Sequence, residues 1–133
     1  MPYDEKARAR LSELERWLWS ETRGASPQVA DVAAWVCELS DLYTLERGVM
    51  ARQQRDREHL AAKSLYFLAS DAPKVVVALD ECAARDARFA APRTIVDVGC
   101  GVGASSVGAL LWLASVGRNE VTIVGIDHEP SVL

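Results

Sequence analysis

Up to position 93 the apolar residues recur at helical spacing; beyond it they gather into short β-branched runs. Leu11, Leu14 and Leu18 stand at i, i+3 and i+7 and predict a helix over 4–23. Trp17 and Trp19 do not both fall on that stripe, so at least one tryptophan is expected to meet another element or a partner. Gly24-Ala25-Ser26-Pro27 reads as a stop and a restart, with Ser26 as N-cap and Pro27 at the first helical position. The second helix then runs to 47, buries Val32, Val36, Leu39 and Tyr43, and stops at Gly48. A third, over 51–69, begins in a charged run and turns apolar through Ala61, Leu65 and Leu68. Ser70-Asp71-Ala72-Pro73 is a second cap-and-proline signal, after which a fourth helix carries Val75, Leu79 and Cys82 on one face.

The pattern changes at Thr94-Ile95-Val96-Asp97-Val98, a strand-like run followed by glycine at every second position: Gly99, Gly101 and Gly103. A helical segment follows over 104–116, with Trp112 expected in the core against the sheet. Val121 to Ile126 is another β-branched run, and it ends at Asp127, thirty positions after Asp97. That separation accommodates a strand, loop, helix, turn and second strand. The expected fold class is therefore α/β, with a β-α-β unit over 94–133 preceded by a mostly helical region over 1–93. The short connection at 88–93 predicts that the fourth helix packs directly on the sheet.

Glycines without β-carbons allow a ligand to approach the backbone closely, and the next helix presents unpaired N–H groups to it. Asp97 decides which ligand. In a dinucleotide site the pyrophosphate lies over such a loop, and a neighbouring carboxylate would repel it. A ligand bearing a sulfonium and an ammonium, with no phosphate, reverses the sign. Asp97-x-Gly99-x-Gly101-x-Gly103 resembles the first motif of the class I S-adenosylmethionine-dependent methyltransferases, and Gly125-Ile126-Asp127-His128-Glu129-Pro130 is similar to their second.

The resemblance implies the start of a Rossmann-like sheet and S-adenosylmethionine as cofactor. It implies that Asp97, Gly99, Cys100, Gly101 and Gly103 cradle the methionine half, that Asp127 takes the ribose hydroxyls, and that His128 lies near the adenine. Cys100 is read as a small structural residue of the bend, since methyl transfer needs no thiol nucleophile. The rival enzyme class is an NAD-type oxidoreductase, because Gly99-x-Gly101-x-x-Ala104 fits the looser dinucleotide pattern; Asp97 speaks against it. The non-enzymatic rival is a scaffold carrying a degenerate cofactor fold. A narrower likeness, through Leu65-Tyr66-Phe67-Leu68 and Asp71-Ala72-Pro73-Lys74 followed by the glycine loop, is to the small-ribosomal-subunit assembly methyltransferase-like family. It implies ribosomal RNA or a ribosomal particle as partner. In class I enzymes the helix before the first strand often borders the cofactor cleft, which draws attention to 71–74.

Half of the 133 residues are apolar, enough for a core in one domain. Two strands are few for the sheet the resemblance implies, so the chain reads as the front of a larger fold that binds cofactor poorly alone. The net charge is −4, with 14 basic against 15 acidic residues before Thr94 and one against four from there on. Neither part has the basic excess of a dedicated nucleic-acid binder. Arg52, Arg55 and Arg57 interleave with Asp56 and Glu58, as on a solvated helix face, and His59 in the same run is read as solvated too. Cys37, Cys82 and Cys100 form no Cys-x-x-Cys pair, which favours a reducing compartment over a disulfide framework or zinc site. Two distant histidines make no metal site. The first ten residues lack an apolar signal core, and 107–116 is too short to span a bilayer, so the expected location is cytoplasmic, away from membranes. A general base would come from loops after later strands, so no catalytic residue is named.

Overall fold

The computed structural model describes residues 4–22, 27–45 and 56–128. Helix α1 (Glu5–Thr22) starts where the Asp4 carboxylate accepts the Ala7 N–H at 2.9 Å. It buries Ala7 and Leu11, with Leu14 and Leu18 packed against the same core. Trp17 is exposed and Trp19 half-buried. The two tryptophans part company, as their spacing requires.

Helix α2 (Val29–Thr44) begins later than the Ser26-Pro27 pair predicts. Gln28 is the N-cap, and the Asp31 carboxylate accepts the Gln28 N–H at 2.9 Å. Pro27 therefore precedes the cap instead of opening the helix. Val32 and Leu39 are buried as expected and Val36 is half-buried, but Leu42 takes the inward position assigned to Tyr43. Leucine has no hydroxyl to leave unpaired there, and Tyr43 keeps its edge in solvent. Ser26, the stops at Gly24 and Gly48, Arg52 and Arg55, and Pro130 lie outside the described residues.

The third and fourth helices are one unbroken run, against the break expected at 70–73. Helix α3 (Asp56–Ala62) passes through a π-helical turn, Lys63–Phe67, directly into α4 (Leu68–Arg85), and Pro73 lies inside α4. A proline inside a helix costs about 3 kcal/mol. The buried stripe Leu65, Leu68, Ala72, Val76 runs straight past it. Each buried leucine or valine contributes about 1.5–3 kcal/mol, so the stripe outweighs the proline. Leu65 and Leu68 are buried as expected and Leu79 packs against the core, but Ala62 and Val76 are buried where Ala61 and Val75 are only half so, and Cys82 is exposed.

After a 3₁₀ turn, Ala87–Ala90, come strand β1 (Thr94–Val98), helix α5 (Ala104–Ser115) and strand β2 (Thr122–Ile126). The strands pair in parallel, Thr94 beside Thr122 and Asp97 beside Gly125. The fold is α/β, mostly helical with a two-stranded parallel sheet. One core joins its parts: Leu11 of α1, Leu68, Ala72 and Val76 of α4, and Leu111, Trp112 and Leu113 of α5, with Ile95 and Ile123 reaching it from the strands. The principal surface of α4 rests on α5, not on the sheet as the short connection suggested. Trp112 is a core residue, as expected. No described helix is long and apolar enough to cross a membrane.

Candidate functional site

In a parallel pair both strands end on the same side, so Asp97, the glycine loop and Asp127 meet at one sheet edge. That is the edge where open α/β sheets bind ligands. The loop folds back on β2: the N–H groups of Gly99 and Cys100 both donate to the Ile126 carbonyl, at 2.7 and 3.1 Å. This reversal needs the left-handed region at Gly99, Gly101 and Gly103, with φ of 72, 50 and 86°. A β-carbon built on any of the three meets nothing within 4 Å, so open space lies against that side of the backbone. Gly103 also serves as the N-cap of α5.

Two carboxylates flank the loop. Asp97 is 9% exposed, and its Oδ2 accepts the Ser106 hydroxyl at 2.7 Å from the first turn of α5. Its Oδ1 has no hydrogen-bond partner among the described residues. The Asp127 side chain is buried, and its Oδ2 accepts the Gly101 N–H at 2.7 Å. His128 is exposed, with Nδ1 3.3 Å from Asp127 Oδ1. The only Lys or Arg from Thr94 onward is Arg118, which precedes β2 and so belongs to the opposite end of the sheet. The loop therefore lies between buried negative charges.

Of the sequence candidates, the structure gathers Asp97, Gly99, Cys100, Gly101, Gly103, Asp127 and His128 on this edge. Cys100 sits in the bend facing β2, where a β-carbon at Gly125 would stand 3.0 Å from its sulfur. Asp71 and Lys74 pair with each other on α4 at 2.5 Å. Arg57 is exposed.

His59 overturns its reading as a solvated residue. It is fully buried on α3, with Nε2 3.6 Å from Oε2 of Glu38 on α2. The physical reason is helix pairing: α2 packs on α3, and the charged run turns one of its residues into that seam. No group of three or more His, Cys, Asp or Glu among the described residues is placed to hold a metal ion.

Sequence reasoning missed Ser106. Its signal was available: a hydroxyl in the first turn of a helix can reach the end of the strand that feeds it. No protein-family model matches the chain, and no curated protein or solved structure matches it either.

Proposed function

We propose that this edge binds S-adenosylmethionine and that the chain is the cofactor-binding front of a class I, Rossmann-like methyltransferase. One observation carries the reading: a glycine loop with open space beside it lies between two buried carboxylates with no Lys or Arg in its own segment. An anionic pyrophosphate would meet repulsion there, about 4 kcal/mol per pair of unit charges 4 Å apart at an intermediate dielectric. An ammonium or sulfonium gains by the same sum.

In this reading Asp97 Oδ1 takes the α-ammonium, and the Asp127 carboxylate accepts from the ribose hydroxyls. The bound cofactor supplies a methyl carbon activated by its sulfonium. The protein contributes position and exclusion of water, by which the nucleophile, methyl and sulfur are brought into line.

The test is a protein-observed NMR titration of the backbone amides, sensitive to millimolar affinities, with S-adenosylhomocysteine and NAD offered separately and in competition. S-adenosylhomocysteine should bind saturably, shift the amides of Gly99, Gly101 and Gly103, and resist displacement by NAD. Asp97→Asn, which keeps the shape and removes the charge, should weaken it at least tenfold, about 1.4 kcal/mol. Preference for NAD, or unchanged affinity in Asp97→Asn, would refute the proposal.

A further inference from the structure

We infer that Ser106 is a positioning residue that aims Asp97 and makes the site selective for ligands carrying an ammonium group. The inference rests on the cofactor reading above and deepens it. The Asp97 carboxylate is 9% exposed, and a buried carboxylate without partners is strongly disfavoured. An ionised carboxylate only accepts hydrogen bonds, so at 2.7 Å the Ser106 hydroxyl is the donor and Asp97 Oδ2 the acceptor. This contact spans nine positions, joining the strand end to the helix that follows.

The kind of partner matters as much as its presence. A lysine or arginine at 106 would satisfy the carboxylate and cancel its charge. A neutral hydroxyl satisfies one oxygen, fixes the plane of the group and leaves the negative charge in place. The second oxygen, Oδ1, has no partner among the described residues and remains to accept from a cationic N–H donor. A hydrogen bond to a charged, fixed partner is stronger than one between neutral groups, whereas an unaimed carboxylate loses part of that gain to rotamer freedom. Ser106 thus divides the ligand into two halves: it governs affinity for the amino-acid half and is indifferent to the nucleoside half.

That division gives the experiment. Affinities of S-adenosylhomocysteine, which bears the α-ammonium, and of 5′-methylthioadenosine, which lacks the amino-acid half, are measured by NMR titration on wild type, Ser106→Ala, Ser106→Thr and Asp97→Asn. Ser106→Ala should weaken S-adenosylhomocysteine about tenfold and leave 5′-methylthioadenosine within twofold, while Ser106→Thr, which keeps the hydroxyl, restores the wild-type ratio. Equal loss for both ligands in Ser106→Ala would reveal a merely structural serine and overturn the inference. So would an unchanged ratio. If Asp97→Asn collapses the ratio while Ser106→Ala does not, only the role of Ser106 fails. If neither variant moves it, the assignment of Asp97 to the ammonium fails as well.

Discussion

Gly108 of α5 lies so close to α4 that a β-carbon there would stand 2.5 Å from the Ala72 carbonyl oxygen and 2.7 Å from the Val75 β-carbon. The contact sets the distance between the two helices whose packing forms most of the core. Gly108→Ala tests which of two effects wins. Alanine favours a helix over glycine by about 1 kcal/mol, but overpacking a core costs about 1–3 kcal/mol. The nearest atom is the backbone carbonyl oxygen of the fully buried Ala72, so it cannot swing aside as a side chain would. We expect a net loss of about 1–2 kcal/mol, read as a lower urea midpoint at unchanged slope. A variant more stable than wild type would show that the helices can separate freely.

Trp112 is 1% exposed, and its indole Nε1 has no hydrogen-bond partner among the described residues. A buried donor left unpaired costs about 1–3 kcal/mol, comparable to the packing lost when an indole becomes a phenyl ring. Trp112→Phe should therefore leave stability within about 1 kcal/mol of wild type, the two terms offsetting each other. Trp112→Ala has no such relief and should lose about 3–5 kcal/mol. Denaturant unfolding of both variants checks the pair; a phenylalanine as damaging as the alanine would mean the indole N–H is satisfied.

Asp4 and Asp86 make a pH prediction. Accepting the Ala7 N–H holds the Asp4 carboxyl below its ordinary value of 3.8, and the Arg88 side chain, then the Arg88 N–H, does the same for Asp86. Since the folded pKa is depressed in each case, the stabilisation is complete above the ordinary value and disappears as pH falls through the depressed one. Both contacts should therefore be indifferent to pH from neutrality down to about 4 and loosen only in stronger acid. Carboxyl titrations followed through the Ala7 and Arg88 amide shifts will read this directly. High salt should shrink the depression at Asp86, where a charge pair leads, more than at Asp4, where a backbone hydrogen bond leads. Equal shrinkage would mean the two depressions share one origin.

The back of the chain was the more legible part, for a physical reason. Strand, glycine loop and helix follow from local chemistry: β-branched runs, residues that alone tolerate positive φ, and a return of helical spacing. Asp97 and Asp127 then meet because parallel pairing leaves them no other place. The front depends on what packs on what. Pro73 signalled a helix start by local rules, yet the stripe from Leu65 to Val76 carried the helix through it. His59 sat in a charged run and turned inward because α2 pairs with α3. Gly108 gave little local signal, since its place is set by contact with α4, whereas Ser106 was readable only as a first-turn hydroxyl within reach of the end of β1.

The closing of the glycine loop by Asp127 is a link that can be cut in two ways. Asp127 Oδ2 accepts the Gly101 N–H at 2.7 Å, and the side chain is buried. Asp127→Asn removes the charge but keeps an oxygen able to accept, whereas Asp127→Ala leaves the Gly101 N–H without that acceptor. If this contact holds the loop shut, Gly101 amide exchange should quicken about tenfold in Asp127→Ala, equivalent to about 1.4 kcal/mol of local opening, and much less in Asp127→Asn. Gly99 and Cys100, which donate instead to the Ile126 carbonyl, should keep their protection in both variants. The proposed ribose contact predicts a different order, because it would depend on the carboxylate itself: both variants should weaken a nucleoside ligand. Exchange at Gly101 that ignores the alanine would leave the loop anchored by Ile126 alone and would free Asp127 of any structural role.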